Sequence, residues 1–100
     1  MNDEATLNDA MQEPNSYVVL QNDIALTTLN LIHVNGIIVI ICGENSITDD
    51  GGSIEIGINT VIVTDNASIE VLLEAPEDYA INKKDNLDGT FTYSCIADEE

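Results

Sequence analysis

Apolar residues recur along this chain at a spacing of two, in short runs separated by turn-forming residues. Runs at 17–21, 24–34, 37–42, 53–58, 60–64, 68–74, 79–82 and 90–96 read as strands. Asn35-Gly36, Asp49-Asp50-Gly51-Gly52, Asp65-Asn66 and the segment 85–89 supply turn chemistry between them, and Pro76 breaks the chain. No segment of 11 or more residues carries a convincing 3.6-residue period, and no repeat indicating a solenoid is seen. Seven or eight short strands with a turn every 8–12 residues predict an all-β antiparallel sandwich or barrel. Residues 1–16 are polar and acidic; a short helix over 4–12 is compatible with them, and the reading adopted is an extended N-terminal arm that orders on docking. The expected organisation is therefore an arm at 1–16 and one β-sandwich domain at 17–100.

The alternation assigns faces. Ile69, Val71 and Leu73 point one way and Ser68, Glu70, Leu72 and Glu74 the other; Ile54, Ile56 and Ile58 alternate with Glu55, Gly57 and Asn59; Phe91, Tyr93 and Cys95 oppose Thr90, Thr92 and Ser94. The segment around Asn35-Gly36 differs. A type I′ hairpin there pairs Val34 with Ile37 and His33 with Ile38. Leu29, Leu31, His33, Ile38, Ile40 and Cys42 then make one face, and Asn30, Ile32, Val34, Ile37, Val39 and Ile41 the other. Both are apolar, and a two-layer sandwich buries only one. The second face meets the N-terminal arm, its own loops, a sister subunit or a foreign surface. The expected partner-binding residues are thus Asn30, Ile32, Val34, Ile37, Val39 and Ile41.

Composition narrows the partners. Nineteen Asp and Glu stand against two Lys, no Arg and one His, a net charge of −17, while 44% of the residues are hydrophobic. Direct nucleic-acid binding needs cations to displace phosphate counterions, and the only basic pair is Lys83-Lys84. An anionic membrane surface would repel the chain for the same reason. Residues 24–43 carry no charge, yet Thr27, Thr28, Asn30, His33 and Asn35-Gly36 interrupt them, and the longest apolar run, 37–42, is far short of a span of about 20 residues. Asn2, Asp3 and Glu4 after Met1 do not start a signal peptide. Cys42 and Cys95 are accordingly expected as thiols.

The C-terminal third carries a recognisable pattern. Leu73-Glu74-Ala75-Pro76, then Asp85-Asn86-Leu87-Asp88-Gly89-Thr90 leading into Phe91-Thr92-Tyr93, resembles filamin-type immunoglobulin repeats over residues 68–96. Tyr93-Ser94-Cys95 is similar to the Tyr-x-Cys of the immunoglobulin strand F. The resemblance implies an immunoglobulin-like antiparallel β-sandwich, with Cys42 where the family's cysteine partner of Cys95 would lie. Two departures stand out: no Trp packs between the cysteines, and only 97–100 follow Ile96, so the family's last strand is missing. An N-terminal strand or another chain would take its place.

No catalytic constellation emerges, and no enzyme, cofactor or metal is expected. His33 is the lone histidine, on an apolar face, and reads as structural or interfacial. Cys42 and Cys95 lack an adjacent cation to activate them. Asp49-Asp50-Gly51-Gly52 and 85–89 have the carboxylates and glycines of a Ca²⁺ turn without the full loop spacing; turn chemistry alone accounts for them. The expected function is a non-enzymatic structural protein. Small acidic immunoglobulin-like modules with a polar arm resemble the accessory proteins that decorate phage virions, which implies capsid or sister subunits as partners, a homo-oligomer, and a virion or otherwise cytoplasmic location. The alternative is an acidic DNA mimic that inhibits a host defence enzyme. It would need carboxylates in rows about 6.6 Å apart, and Glu70 with Glu74 comes nearest.

Overall fold

The computed structural model describes residues 4–97. Helix α1 (Glu4–Met11) precedes ten strands: β1 (Tyr17–Val19), β2 (Ile24–Leu26), β3 (Leu29–Ile32), β4 (Gly36–Ile41), β5 (Ile47–Asp49), β6 (Ser53–Ile56), β7 (Thr60–Thr64), β8 (Leu73–Glu74), β9 (Tyr79–Asp85) and β10 (Phe91–Ala97). A 3-10 helix, Ala67–Leu72, separates β7 from β8. The chain is β-rich, as its Ile, Val and Thr content favours.

The strands form three sheets: β1-β4-β7-β10-β9 (sheet A), β2-β5 (sheet B) and β3-β6-β8 (sheet C). The chain visits A, B and C in turn, twice, and then a third time with the 3-10 helix standing between β7 and β8. Each coil lies parallel on the one before. Tyr17 pairs with Val39, Ile24 with Ile47, Leu29 with Ser53 and Gly36 with Thr60, offsets of 22–24 residues. Only β10 breaks the direction, running antiparallel to β7 and β9.

Winding stacks like on like inside the coil. Val18, Ile40 and Thr64 fall in register, as do Ile38, Ile62 and Tyr93; Ile24 lies on Ile47, Ile32 on Ile56, and Asn30, Ile54 and Leu73 share a row. All of them are buried. β-Branched side chains suit such ladders because their one favoured rotamer repeats from coil to coil. The corners are tied by carboxylates. Asp65 accepts hydrogen bonds from the Cys42 and Gly43 amides (2.7 and 3.1 Å), and Asp23 accepts from the Ser46 amide (3.0 Å). Part of the −17 charge therefore satisfies backbone donors between coils.

This architecture corrects several expectations. The sheets are largely parallel, so the immunoglobulin-like antiparallel sandwich is not what forms, and a solenoid-like repeat is present after all. Asn35-Gly36 makes no hairpin: neither residue has the positive φ that a type I′ turn needs, and β3 and β4 lie in different sheets. The Gly36 amide instead donates to the Asn59 carbonyl of the next coil (3.2 Å). The expected strand at 24–34 bends at Thr27-Thr28 into β2 and β3. The expected strand at 68–74 is mostly the 3-10 helix, which turns Val71 outward, and Ile58 is exposed. Within the described residues, Ile54, Ile56 and Tyr93 face the core as the alternation predicts. Residues 1–3 and 98–100 of the expected arm and tail lie outside the described residues.

The arm is not extended where it is described. α1 packs Leu7 and Met11, both fully buried, over the first coil. Its Glu4 carboxylate accepts from the Asn30 side chain (3.0 Å) and from the amides of Thr27 and Thr28 (3.1 Å each). Asn8 donates to the Asn30 side chain (2.8 Å) and Gln12 to the Leu31 carbonyl (2.9 Å). The Asn30 bond, with those from Thr27 and Thr28, holds the Glu4 carboxyl down at about 2 against an ordinary 4.5. A folded-state value below the unfolded one stabilises above pH 4.5, and the contribution is lost as the pH falls towards 2. Wild-type and Glu4→Gln chains should therefore differ in melting temperature at pH 6 and converge near pH 2. A gap that stays constant with pH would contradict the latch.

Candidate interaction surface

Sheet A has two faces, and the coil uses only the inner one. Along β4, Ile38 and Ile40 point inward, so Ile37, Val39 and Ile41 point out. β1 adds Tyr17 and Val19 beside Val39 and Ile41, and β7 adds Val61 and Val63 beside Ile37 and Val39. Tyr17 is 69% and Ile37 46% exposed. These seven apolar side chains form a contiguous patch with no carboxylate or ammonium among them. From strand geometry it measures roughly 10 Å across the strands by 13 Å along them. Towards β10 and β9 it grades through Thr92 and Ser94 to Asn82 and Lys84.

The six residues expected to bind a partner divide between two environments. Ile37, Val39 and Ile41 occupy the middle of this patch. Asn30 and Ile32 are buried in β3, with Asn30 only 4% exposed, so neither can touch a partner. Val34 is half-buried at the corner before β4, where its carbonyl accepts from the Thr60 hydroxyl (2.6 Å). Tyr17, Val19, Val61 and Val63 were outside the expected set. Val61 and Val63 carry a visible signal: Val34-Asn35-Gly36-Ile37-Ile38-Val39-Ile40 returns 24 residues later as Ile58-Asn59-Thr60-Val61-Ile62-Val63-Thr64, whereas nothing in the sequence marks Tyr17 and Val19.

The other candidate groups are spread over the fold. Exposed His33 meets Glu55 across the sheet C corner, with Nε2 2.9 Å from Oε2. Cys42 and Cys95 are not joined. Burial, helped by the nearby Asp65 and Glu55 respectively, pushes both thiols up, which keeps them protonated and unreactive at neutral pH. Glu70 lies in the 3-10 helix, 3.6 Å from the Lys83 ammonium, while Glu74 lies on β8 beside Glu55. They make no ruled strand row. Among the described residues no group of three or more His, Cys, Asp or Glu side chains could hold a metal ion, and no pocket opens. No helix there is long and apolar enough to cross a membrane. Compared with known proteins, the chain matches no family model, no curated protein and no solved structure.

Proposed function

We propose that this chain is a non-enzymatic interaction module that attaches to other protein subunits through the outer face of sheet A, as a capsid decoration or other accessory virion protein would. The observation that carries the reading is the neutral patch of Tyr17, Val19, Ile37, Val39, Ile41, Val61 and Val63 on a chain of charge −17. A chain so acidic keeps such a patch at a cost in solubility, and contiguous exposed apolar surface marks interaction sites. Burying the exposed portions gains on the order of 1 kcal/mol per side chain, about what the low end of the association cost consumes. A single attachment is then weak. It suits many copies bound side by side on one assembled surface, where binding only the assembled form stabilises it by mass action.

Two observations favour this reading over DNA mimicry: Glu4, Asp23 and Asp65 are turned to backbone amides of the fold, and Glu70 and Glu74, on the 3-10 helix and β8, share no strand row. The test is co-sedimentation with the particle fraction of the chain's own source. Val39→Glu should lower the bound fraction at least tenfold while circular dichroism shows the chain still folded. Leu31→Glu, on an exposed position of sheet C, should bind as wild type does. Unchanged binding by Val39→Glu would refute the reading.

A further inference from the structure

The two ends of the coil differ in how they are closed. At the start, β1, β2 and β3 pair with later strands on one side only, and α1 packs against all three. Its polar side chains serve strand-edge groups there: Glu4 takes the Thr27 and Thr28 amides and Gln12 the Leu31 carbonyl. Leu7 and Met11 cover the apolar interior. At the far end no helix among the described residues covers β9, the edge strand of sheet A.

The β9 edge is complementary to what α1 covers. β9 is antiparallel to β10, which is antiparallel to β7, so β9 runs in the same direction as β1. An edge of β9 from one copy can therefore continue sheet A of another in the parallel sense that the coil already uses. Charge bears on the same edge: β9 carries Lys83 and Lys84 ahead of Asp85, and with Lys83 3.6 Å from Glu70, Lys84 is the ammonium left to meet Glu13 and Asp23, which flank β1. Apolar exposure agrees too. Val71 in the last coil and Leu87 in the β9–β10 loop are 83% and 90% exposed, and Leu87 is held in a left-handed conformation (φ 62°) that leucine rarely adopts.

We infer that α1 is a detachable cap over the first coil, and that a second copy of this chain docks there by its β9 edge, head to tail, once the cap lifts. Such a contact is heterologous and does not close on itself, so it propagates into a filament. The cap keeps the chain from assembling until something displaces it, the role that end caps play in repeat architectures.

The experiment is sedimentation velocity on full-length chains carrying Val39→Glu, which removes association through the outer face of sheet A and so separates this inference from the proposed function. Adding Leu7→Asp, which places a charge under the cap, should shift most of the mass from the monomer boundary to a series that grows with concentration. Adding Lys84→Glu as well should weaken that assembly at least tenfold. A folded Leu7→Asp chain that stays monomeric overturns the inference, as do oligomers indifferent to Lys84→Glu. If circular dichroism shows Leu7→Asp unfolded, the same two criteria apply to Glu4→Gln/Gln12→Ala, which keeps both apolar anchors.

Discussion

Gly52→Ala is expected to destabilise the chain by about 3 kcal/mol, the upper range for forcing atoms into a packed site. For a domain of this size that lowers the melting temperature by on the order of 15 °C. Gly52 lies at the corner between β5 and β6, directly against the corner between β2 and β3 in the coil before. A Cβ there would stand 2.5 Å from the Thr28 carbonyl oxygen, 2.6 Å from the Thr28 nitrogen and 2.7 Å from the Leu26 carbonyl carbon. All three are backbone atoms, so no rotamer change relieves the clash. The Gly52 amide also donates to the Leu26 carbonyl (2.9 Å), which holds the two corners together. Gly51→Ala makes the control. Its site is open but has φ +95°, so the substitution costs only the strain of that backbone, about 1 kcal/mol. Thermal melts of the two variants check this, and equal losses would mean that the coils are not stacked so closely at that corner.

Ile62→Ala is expected to cost about 3 to 4 kcal/mol, in the range for truncating a large aliphatic side chain in a rigid core. Ile62 is fully buried on β7, with Ile38 on one side and Tyr93 on the other. The ladder cannot collapse onto the gap, because backbone hydrogen bonds fix the separation of the strands. Val61→Ala, one residue away and facing out, should cost under about 1 kcal/mol. Urea unfolding reads both, with the slope unchanged if only stability is altered. A reversed order would mean that β7 presents the opposite face to the core.

The β-rich character and much of the inward face were legible in the chain, because alternation depends only on the pleat. Ile54, Ile56 and Tyr93 needed nothing beyond it. Strand direction was not legible in the same way. Asn35-Gly36 is the strongest short hairpin signal, and here the Gly36 amide bonds to the next coil instead of closing a turn. The unbroken apolar run at 37–42 fits a strand covered on one face by the coil and left neutral on the other, which alternation cannot separate from a sandwich strand. The 24-residue return of the β4 pattern in β7 is the signal for winding, and it is a faint one because the third coil does not keep it: the 3-10 helix replaces the strand of sheet B there. For the interaction surface, β4 supplied its centre from the sequence. Tyr17 and Val19 became neighbours only through the parallel register. The arm misled because Leu7 and Met11 are the only large apolar residues on α1, too few to show a helical stripe, yet they suffice to seat it.

The measurement that bears most directly on the account is the pattern of backbone nuclear Overhauser effects across β4. Parallel winding predicts contacts linking Val39 to both Tyr17 and Val63, and Ile38 to Ile62, with none joining His33 to Ile38. A ladder of antiparallel contacts across Asn35-Gly36, pairing His33 with Ile38 and Leu31 with Ile40, would contradict the coil and with it the outer face from which the function is argued.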